Sequence, residues 1–117
     1  MPAHTDIRTS LEAALRVAQL RQSAIANNIA NMDTPGYRRQ TVAFEELFAK
    51  AMAAGKMDPE SIKAQLTAPM DTPVDDRGND VSVDQEMGEL VKNTAATKTY
   101  MRILAKVYKQ MDLAIGQ

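Results

Sequence analysis

Residues able to do chemistry are few in this chain. It has one histidine, His4, and no cysteine. Neither a Ser-His-Asp triad nor a multi-histidine metal site therefore has its parts in one well-placed segment, and thiolate metal sites and disulfides are excluded. His4 sits in the terminal segment, where a solvated side chain is the plain reading. The acidic cluster from Asp75 to Glu86 superficially resembles a calcium loop with Glu at its twelfth place. Arg77 stands where the third ligand belongs and Asp80 replaces the required glycine, so the loop fails as a calcium site. A hydrolase built on the Asp75 to Asp84 carboxylates fails as well, because nothing in an open charged loop raises a carboxylate pKa. Gly55-Lys56 lacks the upstream glycine of a phosphate loop. Arg102, Lys106 and Lys109 form a basic stripe that suits the dipole at a solvated helix end. Asn27, Asn28 and Asn31 read as amides near a helix terminus. No catalytic, cofactor-binding or metal-ligating set emerges.

The elements that position these residues are more informative. Val83, Met87, Leu90, Thr94, Thr97, Met101, Leu104, Tyr108, Met111 and Ile115 follow one another in alternating steps of four and three. That is an a/d heptad seam, and a helix of this kind does not bury its stripe alone. Ser82 and Gln85 form a capping box at its start. At about 1.5 Å per residue the helix would be roughly 48 Å long. Leu11, Leu15, Ala18, Gln22, Ile25, Ile29 and Met32 repeat the rhythm, and Thr9 with Glu12 offers a cap. Asp33-Thr34-Pro35-Gly36 stops this first helix. Proline at the second turn position and glycine at the third predict a type II turn.

The expected class is mainly α: two long terminal heptad helices in an antiparallel coiled coil, around an irregular middle. One rod-like domain divides into a mobile start at 1–8, a helix at 9–32, a middle at 33–80 and a helix at 82–116. The middle reads as a short helix from Thr41 to Ala54, two turns from Pro59 to Leu66, and a loop with a small β-hairpin near Asp76 to Asn79. Pairing by order sets Leu11 near Tyr108, Leu15 near Leu104, Ala18 near Met101, Gln22 near Thr97 and Ile29 near Leu90. With three Tyr, two Phe and no Trp, a deep globular core is not expected. Ordering a residue costs about 1–2 kcal/mol, against about 0.8 kcal/mol per buried methylene. One thin stripe containing Gln22, Thr94 and Thr97 is therefore marginal, and neighbours must complete the burial. A net charge of −1 and a pI near 5.8 give no electrostatic reason to bind nucleic acid. No apolar run approaches a membrane span, and Asp6, Arg8, Glu12 and Arg16 interrupt any signal-peptide apolar region before Val17.

One stretch is more specific than composition. Asn27-Asn28-Ile29-Ala30-Asn31-Met32-Asp33-Thr34-Pro35-Gly36-Tyr37-Arg38 resembles the N-terminal signature of the bacterial flagellar rod, hook and hook-associated proteins, NNIAN-x-x-TPGY, with every letter present. Gly78-Asn79-Asp80-Val81, entering the second helix, is similar to the family's C-terminal pattern. The resemblance covers roughly residues 10–48 and 78–116, and the short length resembles the small rod proteins. It implies a non-enzymatic subunit of the basal-body rod that polymerises through paired terminal helices, with no cofactor and no small-molecule substrate. Implied partners are further copies, other rod subunits, the ring or adaptor at the rod base, and the flagellar type III export apparatus, which takes the family without a cleaved signal. Leu11, Leu15, Ile25, Ile29, Leu90, Met101, Leu104 and Met111 would then form the seam. Asn27, Asn31, Pro35, Gly36 and Tyr37 would set the turn and a subunit contact. A small cytoplasmic coiled-coil adaptor or export chaperone is the reading from another class.

Overall fold

The computed structural model describes residues 3–45 and 65–116, with side chains from Ile7 onward in the first helix. Helix α1 runs Ala3–Ala30, strand β1 Thr41–Ala43, strand β2 Gln65–Thr67 and helix α2 Val83–Ile115. The molecule measures 64 × 29 × 15 Å with a radius of gyration of 17.6 Å, against about 13 Å for a compact chain of this length. The two long helices pack on each other as an elongated pair.

Helix α1 begins at Ala3 rather than at Thr9, so the Thr9/Glu12 pair falls inside it. No proline or glycine interrupts residues 3–9, so nothing stops the helix from continuing back to Ala3. It ends at Ala30, so Met32 lies beyond it, exposed. At the other end of the fold the Ser82 hydroxyl caps α2, accepting from the Gln85 N–H at 3.4 Å.

The middle differs from expectation. Thr41–Ala43 is a strand where a helix was expected to begin, and pairs antiparallel with Gln65–Thr67, Val42 facing Leu66 across the ladder. Glu45 is helical, and the remainder of the expected helix, 46–54, lies outside the described residues. The β-branched Thr41 and Val42 suit the strand. Val42 is buried with Val17 and Ala24, while Leu20 and Phe44 pack against this small core. Helical propensity loses here to a buried strand face. The expected turns from Pro59 fall outside the described residues up to 64, and Gln65 and Leu66 belong to β2. Near Asp76 there is a tight turn closed by Gly78 N–H to Asp75 O at 3.0 Å, without strands.

The seam of α2 is half as expected. Leu90, Thr97, Leu104 and Met111 are partly buried, but Val83, Met87, Thr94, Met101, Tyr108 and Ile115 are exposed. The inward face takes Glu86, Asn93, Tyr100 and Val107 instead, one residue earlier at each step. Glu86 and Asn93 are polar, yet both are buried because each has partners on α1. The helix turns on its axis to bring those partners together. On α1, Ala18 and Ile25 are buried, Leu11, Leu15 and Ile29 partly so, and Gln22 is exposed. Pairing is displaced by about one turn in the middle: Asn93 Nδ2 donates to Gln22 Oε1 at 3.3 Å and to Ala18 O at 2.9 Å. Further along, Tyr108 Oη still reaches Glu12 at 2.7 Å.

Candidate functional site: a buried polar latch

Where the first helix ends, four backbone segments converge on fully buried side chains. Asn28 comes from the last turn of α1, and Glu86 from the first turn of α2. Asn28 Nδ2 donates to Gln40 O at 2.9 Å and to Glu86 Oε2 at 3.1 Å. Its Oδ1 accepts from Tyr37 Oη and from Gln40 N, both at 2.9 Å. An amide offers two donors and two acceptor sites, so Asn28 is saturated. The other Glu86 oxygen accepts from Arg39 Nε at 3.0 Å.

A second carboxylate extends the cluster. Asp80 is buried, taking the Arg39 N–H at 2.5 Å and Arg38 Nε at 3.1 Å. Buried charges persist only when paired and hydrogen-bonded, and both conditions hold here. Burial raises the Tyr37 phenol above its ordinary pKa, helped by the charges of Glu86 and Asp80. Tyr37 therefore stays a donor to Asn28.

Glycines close the approach. Tyr37 N–H reaches Thr34 O at 3.2 Å, with Gly36 at φ +76°, which is the expected type II turn around Pro35. Gly36 N–H then donates to Arg77 O at 2.9 Å, tying that turn to the loop before α2. Gly78, at φ +79°, packs over it. Asn79 is buried and donates to Asn31 O at 2.9 Å and Thr34 O at 2.8 Å. Asp75 Oδ1 accepts from Arg77 N and Asn79 N. Its carboxyl is held below the ordinary value by the Asn79 N–H first, then, against some desolvation, by Arg77. These bonds give Asp75 a local turn-forming role.

The signature residues are thus brought together, with different duties. Asn28, Asn31, Thr34, Gly36 and Tyr37 take part in the latch. Asn27 offers its carbonyl to the Asn31 amide at 2.8 Å, while Ala30 and Pro35 stay exposed. Asn28 is not the capping amide expected of it: it joins the two helices. Arg39 and Glu86 were missed from sequence. A signal existed, since Glu86, Leu90, Asn93, Thr97, Tyr100, Leu104, Val107 and Met111 form a second four-three series that polarity rules pass over. Every polar group of Asn28, Glu86 and Asp80 is used in holding segments together. The chemistry the latch performs is structural.

A helical pair whose termini are locked by this asparagine-rich turn defines a class, the flagellar rod-type subunits. A family model described as "Flagella basal body rod protein" matches residues 8–38. The chain is 37% identical over 94 residues to the flagellar basal body rod protein FlgB of Bacillus subtilis (strain 168), covering 72% of this chain and 73% of that one. It is 28% identical to FlgB of Borrelia hermsii (86% and 89% covered) and 29% identical to FlgB of Salmonella typhimurium (86% and 91% covered). The chain belongs to the flagellar basal body rod protein FlgB family.

Proposed function

We propose that this chain is a structural subunit of the proximal part of the bacterial flagellar basal-body rod, joining its neighbours through the terminal helices and carrying torque along the shaft. The rod assignment follows from family membership, and a rod protein is not an enzyme class. The sister rod protein FlgC is not favoured, since the relatives compared carry the FlgB name. One observation carries the reading: the matched stretch, residues 8–38, comprises most of α1 and the turn after it, and supplies Asn28 and Tyr37 to the latch that joins the two helices. A shaft must resist twist, and side chains saturated by hydrogen bonds hold two helices in one geometry.

Assembly with other rod components accords with the family. The ring or adaptor at the rod base and the type III export apparatus are proposed as further partners, and so is the seam as a subunit contact. Among the described residues no helix is long and apolar enough to cross a membrane. In a motile host, Leu104→Asp should abolish swimming and remove the chain from isolated basal bodies, while His4→Ala changes neither. Normal motility of the Leu104→Asp strain would count against the reading. A chain found only in the cytoplasmic fraction would favour the adaptor or chaperone reading instead.

A further inference from the structure

Two buried side chains beside the latch keep hydrogen-bonding capacity that the fold does not use. Arg39 is 6% exposed and Asn93 8%. A guanidinium carries five N–H groups, and Arg39 gives only Nε–H to Glu86. Among the described residues its two terminal nitrogens meet no acceptor, yet neither is sealed from solvent, since Arg8 Nε is the one such orphan there. Asn93 spends its Nδ2 on Ala18 O and Gln22 Oε1, which leaves Oδ1 as an open acceptor. Both residues line one open groove of about 440 Å³ between α1, β1 and α2.

The rest of the lining narrows what fits. Arg21, Arg39 and Lys92 face Glu45, Glu86 and Glu89 across it. Arg21 pairs with Glu45 and Arg39 with Glu86, so the lining carries no net charge. A charged occupant would leave water with no opposite charge in excess to meet it. Ala24, Ile25 and Ala96 supply a shallow apolar floor. Glu86, which holds Arg39, and Asn93 are seven residues apart, about 10 Å along α2. An extended chain advances about 3.3 Å per residue, so a carbonyl and an N–H within one three-residue stretch span that distance. A lone anion could accept from Arg39 but would offer Asn93 Oδ1 no donor.

We propose that the groove binds an extended, uncharged peptide segment of a partner protein through its main chain. One carbonyl of the segment accepts from Arg39, an N–H further along donates to Asn93 Oδ1, and small side chains rest on the alanine floor. The volume falls within the range of about 300–1,000 Å³ usual for ligand sites. Main-chain bonds supply affinity with little demand on sequence, so a short peptide should bind with a Kd of about 1 mM. The site is read from the groove alone and does not depend on the rod reading.

The probes are acetyl-Ala-Ala-Ala-amide and its analogues with Glu or Lys at the centre, titrated into the full chain. NMR follows the Arg39 Nε–H and the Asn93 side-chain amide. The neutral peptide should shift both signals in one saturable curve, with a Kd about threefold below that of either charged analogue. A charged analogue binding as tightly or more tightly would overturn the proposal, the Glu analogue in favour of a carboxylate site at Arg39 and Lys92. No saturable shift by about 20 mM neutral peptide, or a shift at only one of the two residues, would overturn it outright. Ala96→Phe narrows the groove and lies outside the latch; with helicity unchanged, it should abolish the shifts, and retained binding would overturn the proposal. Lys92→Ala, at an exposed position, should keep the Kd of the neutral peptide within twofold. A larger loss there would mean recognition by charge and would overturn the proposal whether or not the Ala96 variant folds.

Discussion

Glu86 has no exposed side-chain surface and Arg39 only 8%. Removing one partner of such a pair strands the other charge, at about 3–5 kcal/mol. Domain stabilities of about 5–15 kcal/mol make that a large share. Glu86→Ala should therefore lower unfolding stability by about that amount in urea titrations. Glu86→Leu with Arg39→Met should recover part of the loss, because neither charge is then stranded although one Asn28 N–H loses its acceptor. Equal losses for the single and the double variant would show that the shape of the site, not its charge pairing, matters. pH acts at the same scale. Asp75 and Glu45 both titrate below the ordinary carboxylate range in the fold. For Glu45, burial pushes upward and is outweighed by the Arg21 hydrogen bond and charge. A lowered carboxylate pKa contributes stability above the unfolded value, and that contribution disappears as pH falls through the folded one. Urea midpoints should decline on acidification below about pH 4, with a shallower decline in Asp75→Asn, where the amide oxygen still accepts. Tyr37 has the opposite sign. Its raised pKa contributes below about pH 10 and is lost as pH climbs through the folded value, so Tyr37→Phe should flatten the alkaline limb.

At the scale of elements, what could be read from sequence was local. The Thr34–Tyr37 turn was legible because proline and glycine restrict their own backbone, and Gly36 adopts the positive φ the turn requires. Nothing lies within 4 Å of a Cβ placed on Gly36, so Gly36→Ala is penalised by backbone conformation alone. The expected loss is about 1–2 kcal/mol, checked by thermal unfolding, and a silent change would mean the turn relaxes into another shape. Ser82 as cap was legible for the same local reason. The register of α2 was not. Apolar periodicity assigns polar residues outward, and Glu86 and Asn93 point inward only because Asn28 and the Ala18 carbonyl, far away in sequence, receive them. β1 was missed likewise, since Val42 extends to meet Val17 and Ala24 rather than follow a helical pattern. Long-range partners decided each miss.

Across the whole molecule the two ends of the helical pair are unlike. Around Glu86 the segments are tied by saturated buried groups, and β1 covers α1 nearby. At the other end Ile7, Leu113 and Ile115 are exposed, Ile115 to 80%. Arg8 Nε there is buried with no hydrogen-bond partner among the described residues. A helix whose apolar residues point in several directions needs neighbours on several sides. Local opening should therefore be graded rather than uniform. Amide exchange in the free chain should be slowest around Glu86 to Thr97 and fast from Tyr108 onward. Assembly should slow the second region far more than the first, because neighbouring helices supply what one copy lacks. Equal protection along α2 in the free chain would mean that the distal end is already complete, and that the molecule has no energetic reason to join others there.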